Sequence, residues 1–229
     1  MRKHRGRFIV LEGTDGSGKG VQFELLKKYL FLKKVRFETL DFPQYGKPSA
    51  YFVEQYLNGV YGSWEEVGPQ AASLFYALDR FEVKRKVREW LRAGTFVLAN
   101  RYVASNMGHQ GAKFKRAPER ARFIQWVHTI EYGILGVPKP DLNIFLSVPP
   151  RVAFKLIAQK KKRAYLKGGK KRDIHEGSLS HLERATEAYE HAMRLYPEDF
   201  SVLPCAPRGT MLSLAEIHSE ILRLIKKYV

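Results

Sequence analysis

The sequence predicts an α/β fold in which a central five-stranded parallel sheet is flanked by helices. Three observations carry that expectation. Short apolar runs bounded by glycine or proline alternate with longer segments of helical spacing, the pattern of successive βαβ units. The first run, Phe8-Ile9-Val10-Leu11, is apolar at every position, as in a strand buried on both faces. It passes through a glycine-rich turn directly into the first helical segment. Crossovers in such a sheet are right-handed, and ligands bind beyond the carboxyl ends of its strands. The residues that follow each strand are therefore where function is sought.

The elements follow in order. From Gly20 to Leu32, Val21, Leu25, Leu26, Tyr29 and Leu32 recur at helical spacing with lysines between them. Val35 to Phe42 alternates and stops at Pro43, a second strand. Trp64 to Glu89 reads as a helix, with Leu74, Leu78, Phe81 and Arg85 on recurring turns. Thr95 to Ala99 is a third strand. Ala121 to Leu135 is a helix closed by Gly136, Pro138 and Pro140. Leu142 to Val148 is a fourth strand, and Ser201 to Leu203 ends a fifth. Leu212 to Tyr228 is an amphipathic C-terminal helix.

The chain has 229 residues, 45% hydrophobic and 28% charged, which fits one globular domain over 1–229 and excludes disorder as the main state. No internal repeat or linker divides it. With 18 glycines and 11 prolines, collagen-like and low-complexity classes are also excluded. No segment approaches the roughly 20 apolar residues of a membrane span. The basic start, Met1-Arg2-Lys3-His4-Arg5, lacks a following signal-peptide core, because Glu12 interrupts the apolar run. A single cysteine, Cys205, cannot form an intramolecular disulfide and fits a reducing, cytoplasmic setting. The net charge of +17 favours polyanions: nucleic acid, anionic membrane or nucleotides. Composition does not choose among them.

The turn after the first strand reads Gly13-Thr14-Asp15-Gly16-Ser17-Gly18-Lys19-Gly20. It has the G-x-x-x-x-G-K spacing of a phosphate-binding loop without the final Ser or Thr. Glycines let successive backbone N–H groups face inward as an anion nest, and the following helix adds its positive N-terminal pole. Lys19 supplies a mobile charge for the β and γ phosphates. Gly20 offers no hydroxyl for magnesium, which would lean on phosphate oxygens, waters and other side chains. The histidines and the cysteine show no zinc spacing, and no Gly-x-Ser-x-Gly elbow is present.

Three further segments stand at strand ends or between them: Asp41-Phe42-Pro43-Gln44-Tyr45-Gly46, Leu74-Phe75-Tyr76-Ala77-Leu78-Asp79-Arg80-Phe81, and Asn100-Arg101-Tyr102-Val103-Ala104-Ser105-Asn106. With the glycine loop, and in this order, they resemble the thymidylate kinases, P-loop nucleoside monophosphate kinases, from about Phe8 to the C-terminus. The resemblance implies the P-loop NTPase fold and phosphoryl transfer from ATP to dTMP. Asp15 matches the carboxylate that accepts a hydrogen bond from the sugar 3′-hydroxyl. Phe42 and Pro43 match the wall of the monophosphate site. Tyr76 matches the ring against thymine, and Arg80 the arginine that hydrogen-bonds the base. Arg101 matches the arginine that holds the acceptor phosphate, Asn106 a contact to the base, and His109 a bulky group beside the sugar 2′ position. Pro207-Arg208-Gly209 falls where the adenine of ATP lies.

Departures are equally visible. Asn100 stands where the family usually has a magnesium-positioning Asp, and Tyr45 where an arginine is often found. From Arg151 to Arg172 the chain is basic without an acidic residue, with Gly168-Gly169 as a break. Its position matches the family's lid, about 151–176, which folds over the phosphates. Because Gly16 rather than an arginine follows Asp15, the resemblance shifts the catalytic arginine into this lid, to Arg163 or Arg172. A solvated helix face or a nucleic-acid patch would explain the same charge. The expected protein is therefore a magnesium-dependent kinase of ATP and dTMP, a homodimer, needing neither membrane nor nucleic acid. The alternatives are a kinase of another (deoxy)nucleoside monophosphate, or a nucleotide- or nucleic-acid-binding protein whose turnover is weak or lost.

Overall fold

The computed structural model describes residues 5–165 and 178–229, with side chains for 5–159 and 178–229. Strands β1 (Phe8–Glu12), β2 (Phe37–Asp41), β3 (Phe96–Asn100), β4 (Leu142–Ser147) and β5 (Phe200–Pro204) form one parallel sheet in the order β2-β3-β1-β4-β5. It is the five-stranded parallel sheet that the alternation predicts.

The all-apolar first strand is explained by its two faces. Successive side chains of a strand point to opposite sides of the sheet. Ile9 and Leu11 pack with Phe23, Leu26 and Leu30 of α1 (Lys19–Leu32) and with Ile217, Ile221 and Ile225 of α8 (Leu214–Ile225). Phe8 and Val10 face the other way, onto Val87 and Leu91 of α3 (Trp64–Arg92) and Phe123, Ile124 and Val127 of α5 (Ala117–His128). Every residue of β1 is buried. Each of the larger apolar side chains gains roughly 1.5–3 kcal/mol from that burial.

Several boundaries differ from the sequence expectation. The C-terminal helix begins at Leu214, not Leu212, because Ser213 caps it: Ser213 Oγ accepts from Glu216 N–H and Glu216 Oε2 accepts from Ser213 N–H. Helix α3 is broken at Gly68, whose φ of +72° lies outside the helical region. The segment read as a helix from Ala121 starts earlier, at Ala117, and its last turn, Thr129–Ile134, winds as a π-helix.

The apolar stripe that marks α3 as helical does not face the core. Leu74, Leu78 and Phe81 are exposed, while the buried side carries Ala72, Ser73, Ala77, Asp79 and Arg80. Among the described residues four helices went unread: α2 (Tyr51–Leu57), α4 (Val103–Gly111), α6 (Pro150–Tyr165) and α7 (Leu179–Leu195). Helix α4 contains two glycines, which read as helix breakers. They are required by its packing on α7. A Cβ at Gly108 would lie 2.3 Å from the Tyr189 ring, and one at Gly111 3.3 Å from the Ala188 methyl. The basic stretch opens as helix α6 (Pro150–Tyr165), and residues 166–177 of the expected lid lie outside the described residues.

Candidate active site

The turn between β1 and α1 curls because Gly16 and Gly18 adopt left-handed backbone, φ +80° and +85°. Gly16 has a second constraint: a Cβ there would sit 2.5 Å from the Ala153 carbonyl oxygen, so the first turns of α6 pack directly on the loop. Lys19 folds back over the loop. Its Nζ donates to the carbonyls of Gly13 and Thr14 at 2.7 Å each and to Ser17 Oγ at 3.3 Å. Burial lowers its pKa to about 7, and the nearby Arg101 charge adds to that, against the opposing pull of Asp15.

Arg101 follows β3 with φ +64°, an uncommon backbone state for a side chain of this size. Its N–H donates to the Leu11 carbonyl at 3.0 Å, tying the ends of β3 and β1 together. Its guanidinium forms an ion pair with Asp15, and Nη1 donates to His109 Nε2 at 2.8 Å. Burial is the largest influence on the Asp15 carboxyl and would raise it, but its basic neighbours, Arg101 foremost through charge and hydrogen bond and then His109 and Lys19, together outweigh burial and hold the group well below the usual range. Burial, reinforced by Arg101, keeps the His109 imidazole neutral, so Nε2 accepts the bond.

A cleft of about 920 Å³ opens past the carboxyl ends of β1, β2 and β3. Its walls bring together twelve of the sequence-predicted positions: Asp15, Gly16, Gly18, Lys19, Gly20, Phe42, Pro43, Tyr76, Arg80, Arg101, Asn106 and His109. Gly13, Thr14 and Ser17 are buried behind the loop instead, where they hold Lys19. Arg163 lies on α6 with its side chain outside the described residues, and Arg172 lies outside them altogether. Pro207–Gly209 forms a turn that does not line the cleft, but Met211, Leu212 and Leu214 just after it do. Tyr45 is exposed at the rim.

Four acidic groups that support the site were not identified from sequence. Glu12 ends β1 fully buried; Oε1 accepts from the N–H groups of Tyr102 and Ser105, and Oε2 from Ser105 Oγ and Tyr189 OH. It anchors the first turn of α4 to the sheet, where a negative charge is favoured. Asp79 accepts from the Gln44 N–H at 2.8 Å and from Ser49 Oγ at 2.5 Å, fixing the loop that carries Phe42 and Pro43. Glu131 pairs with Arg80 in the core. The fourth, Asp41, is the register partner of Asn100. A carboxylate ending an otherwise apolar strand is the one signal that would have singled out Glu12.

The resemblance implies a carboxylate at the position of Asn100, and here the charge stands one strand over, on Asp41. Asn100 Nδ2 donates to Asp41 Oδ1 at 2.9 Å, while Asn100 Oδ1 is buried with no hydrogen-bond partner. Burial raises the Asp41 pKa, with Asn100 and Arg101 acting against it. Both side chains line the cleft. No group of three or more His, Cys, Asp or Glu gathers among the described residues. One carboxylate and one carboxamide oxygen, with phosphates and waters completing the shell, suit a hard cation such as Mg²⁺.

Comparisons with known proteins agree with this geometry. The family model for thymidylate kinase matches residues 11–211. A probable thymidylate kinase of Pyrobaculum aerophilum is 31% identical over 223 residues, 97% of each chain. The thymidylate kinase of Mycobacterium tuberculosis is 32% identical over 183 residues, 79% of this chain and 83% of its own. The solved structure of Candida albicans thymidylate kinase superposes with a TM-score of 0.72 at 20% identity, covering 97% of this chain and 92% of that one, which supports the fold. A match of this extent, running from the first strand past the last, makes the chain a member of the thymidylate kinase family.

Proposed function

We propose that the protein transfers the γ-phosphoryl group of ATP to dTMP, giving ADP and dTDP. One observation carries the reading: Lys19 and Arg101, cations from two separate strand ends, line a single cleft whose remaining wall holds Tyr76, Arg80 and Asn106. That cleft has room for two phosphate groups end to end and for a base beyond them.

In this reading an acceptor phosphate oxygen attacks the γ-phosphorus as the bond to the β,γ-bridging oxygen breaks, and the electron pair leaves on ADP. The attacking oxygen is already anionic, so no strong base is needed. Arg101 grips the acceptor phosphate with its planar fork. Asp15 is close enough to orient that fork and to meet the sugar 3′-hydroxyl. Lys19 turns from its carbonyl partners to the transferring phosphates. Tyr76 offers an aromatic face to the base, and His109 crowds the sugar. Arg163 and Arg172 are the candidate lid arginines that neutralise charge on the leaving phosphates.

Mg²⁺ would be held by Asp41 and Asn100 Oδ1 with phosphate oxygens, and when bound it neutralises charge on the transferring group. The Asp41→Asn variant is expected to weaken apparent Mg²⁺ affinity by about 10- to 100-fold. Mn²⁺ binding in the presence of an ATP analogue, read by electron paramagnetic resonance, measures this without turnover. Unchanged Mn²⁺ affinity would remove Asp41 from the ion's surroundings.

The apolar face of α3 points to a homodimer. Leu74, Leu78 and Phe81 present an exposed apolar stripe on α3, with Tyr51 and Phe52 exposed on α2, and contiguous apolar surface of this kind marks interaction sites. Light scattering is expected to report twice the 26.5 kDa chain mass for the wild type and a monomer for Leu78→Glu. No helix among the described residues is long and apolar enough to cross a membrane. With its single cysteine free and buried, the protein fits the cytoplasm.

Release of ADP with dTMP, dUMP, UMP and dCMP, with Mg²⁺, Mn²⁺ or EDTA, tests the central claim. Preference for dTMP with divalent cation is expected. A clear preference for UMP would reassign the substrate, and binding of ATP and dTMP without product would make the protein a nucleotide binder.

A further inference from the structure

The π-helical turn Thr129–Ile134 carries Glu131, whose side chain is 1% exposed. Single turns of this kind are frequent at functional sites. Glu131 is not itself at the cleft wall, yet it is bonded to two residues that are. Its Oε2 accepts from Arg80 Nε at 2.5 Å and its Oε1 from Arg80 Nη2 at 2.6 Å. The same Oε1 accepts from Asn106 Nδ2 at 2.9 Å. Asn106 Nδ2 also donates to the Ser73 carbonyl at 3.1 Å.

Both partners of Asn106 Nδ2 are pure acceptors, so the carboxamide can sit only one way round. Its two N–H bonds are spent behind the wall. The atom left over is Oδ1, buried and with no hydrogen-bond partner. Asn106 lines the cleft, and a buried acceptor on it that has no partner within the protein is one that a ligand donor can satisfy. Arg80 has the opposite polarity, since Glu131 takes two of its five N–H bonds and the group accepts nothing.

We propose that Glu131 is a positioning residue that sets the hydrogen-bond polarity of the base subsite. It turns the Asn106 nitrogen inward, so that an acceptor faces the ligand, and it holds the Arg80 fork still, so that a donor stands beside it. A pyrimidine with N3–H and a 4-oxo group, thymine or uracil, satisfies both. Cytosine would set its bare N3 against Asn106 Oδ1 and its 4-amino group against Arg80, two mismatches at once. The inference rests on the reading in which the base lies against Tyr76, and it goes beyond that reading by naming the group that imposes the polarity.

The test compares kcat and KM for dTMP and dCMP in the wild type, Glu131→Gln and Glu131→Asp. In Glu131→Gln the new amide can donate to Asn106 Oδ1 and reverse the carboxamide. The dTMP-to-dCMP ratio of kcat/KM is expected to fall about 10- to 100-fold, mostly through the KM for dTMP. Glu131→Asp keeps the charge against Arg80 but shortens the reach to Asn106. It is expected to lower the ratio about tenfold and carries the test if the Gln variant, with Arg80 left unpaired, does not fold. A loss equal for both nucleotides, or a fall in melting temperature with the ratio unchanged, would reduce Glu131 to a structural counter-ion. A wild type that does not prefer dTMP over dCMP would instead overturn the base-site reading itself.

Discussion

Replacing Lys19 with methionine is expected to lower kcat for dTDP formation by about 10²- to 10³-fold, the usual loss when one donor to developing charge is removed from a closed site. The fold should survive. Lys19 is buried, and its charge is disfavoured there strongly enough to bring its pKa to about 7, so an unbranched apolar side chain removes a penalty even as it leaves two carbonyls unpaired. The same shift predicts a pH dependence. Bound phosphates restore the ammonium and raise its pKa, so the complex carries more protons than the free protein above about pH 7. Affinity for an ATP analogue is then full below about pH 7 and falls as pH rises, by at most about tenfold per unit for a single proton. Calorimetric titrations at several pH values measure the slope, and Lys19→Met should flatten it. A wild-type profile that is already flat would remove Lys19 from the phosphates.

The second large effect is expected at Arg101. Truncating one member of a close charge pair commonly costs about 2–5 kcal/mol, and here the member also grips the acceptor. Arg101→Gln should lower kcat/KM for dTMP by about 10²- to 10³-fold, with a clear rise in KM. Arg101→Lys should not rescue it, because an ammonium lacks the planar fork that meets Asp15, His109 and a phosphate together. Some stability is lost as well, since Asp15 keeps its charge without its partner. That loss is moderated by solvent, because the two side chains are 21% and 27% exposed. Initial rates at varied dTMP separate the two variants by mechanism: Lys19→Met acts at the ATP end, and Arg101→Gln on the KM for dTMP. A Lys variant with wild-type rates would sink the role given to the fork.

The motifs at strand ends were legible because their meaning is local. Gly13 to Lys19 must curl after a buried strand, and backbone freedom with one lysine is readable without any knowledge of neighbours. Of the twelve predicted positions that meet in the cleft, Gly16, Gly18, Lys19 and Gly20 were read from the loop itself, while Asp15, Phe42, Pro43, Tyr76, Arg80, Arg101, Asn106 and His109 came from the resemblance. What lies behind them was not legible. Glu12, Asp79 and Glu131 act through partners 25 to 177 residues away in the chain, and no spacing rule connects such positions. Helix α4 holds two glycines, residues of low helix propensity, and no sequence pattern marked it. They are there to admit the Tyr189 ring and Ala188, a reason that exists only once α7 is packed. The stripe on α3 was read correctly as helical, but its period could not say which side would be buried.

The alternation of apolar runs and helical segments, with a glycine loop after the first strand, determined the parallel sheet, the phosphate-binding turn and the edge at which ligands meet the chain. Those properties depend on near neighbours in sequence. Tertiary structure alone decided that Asp41 would stand beside Asn100, that Arg80 and Asn106 would share Glu131, and that Leu74, Leu78 and Phe81 would face outward. Burial and electrostatics act through space, and which charges share a buried site is a property of the closed fold.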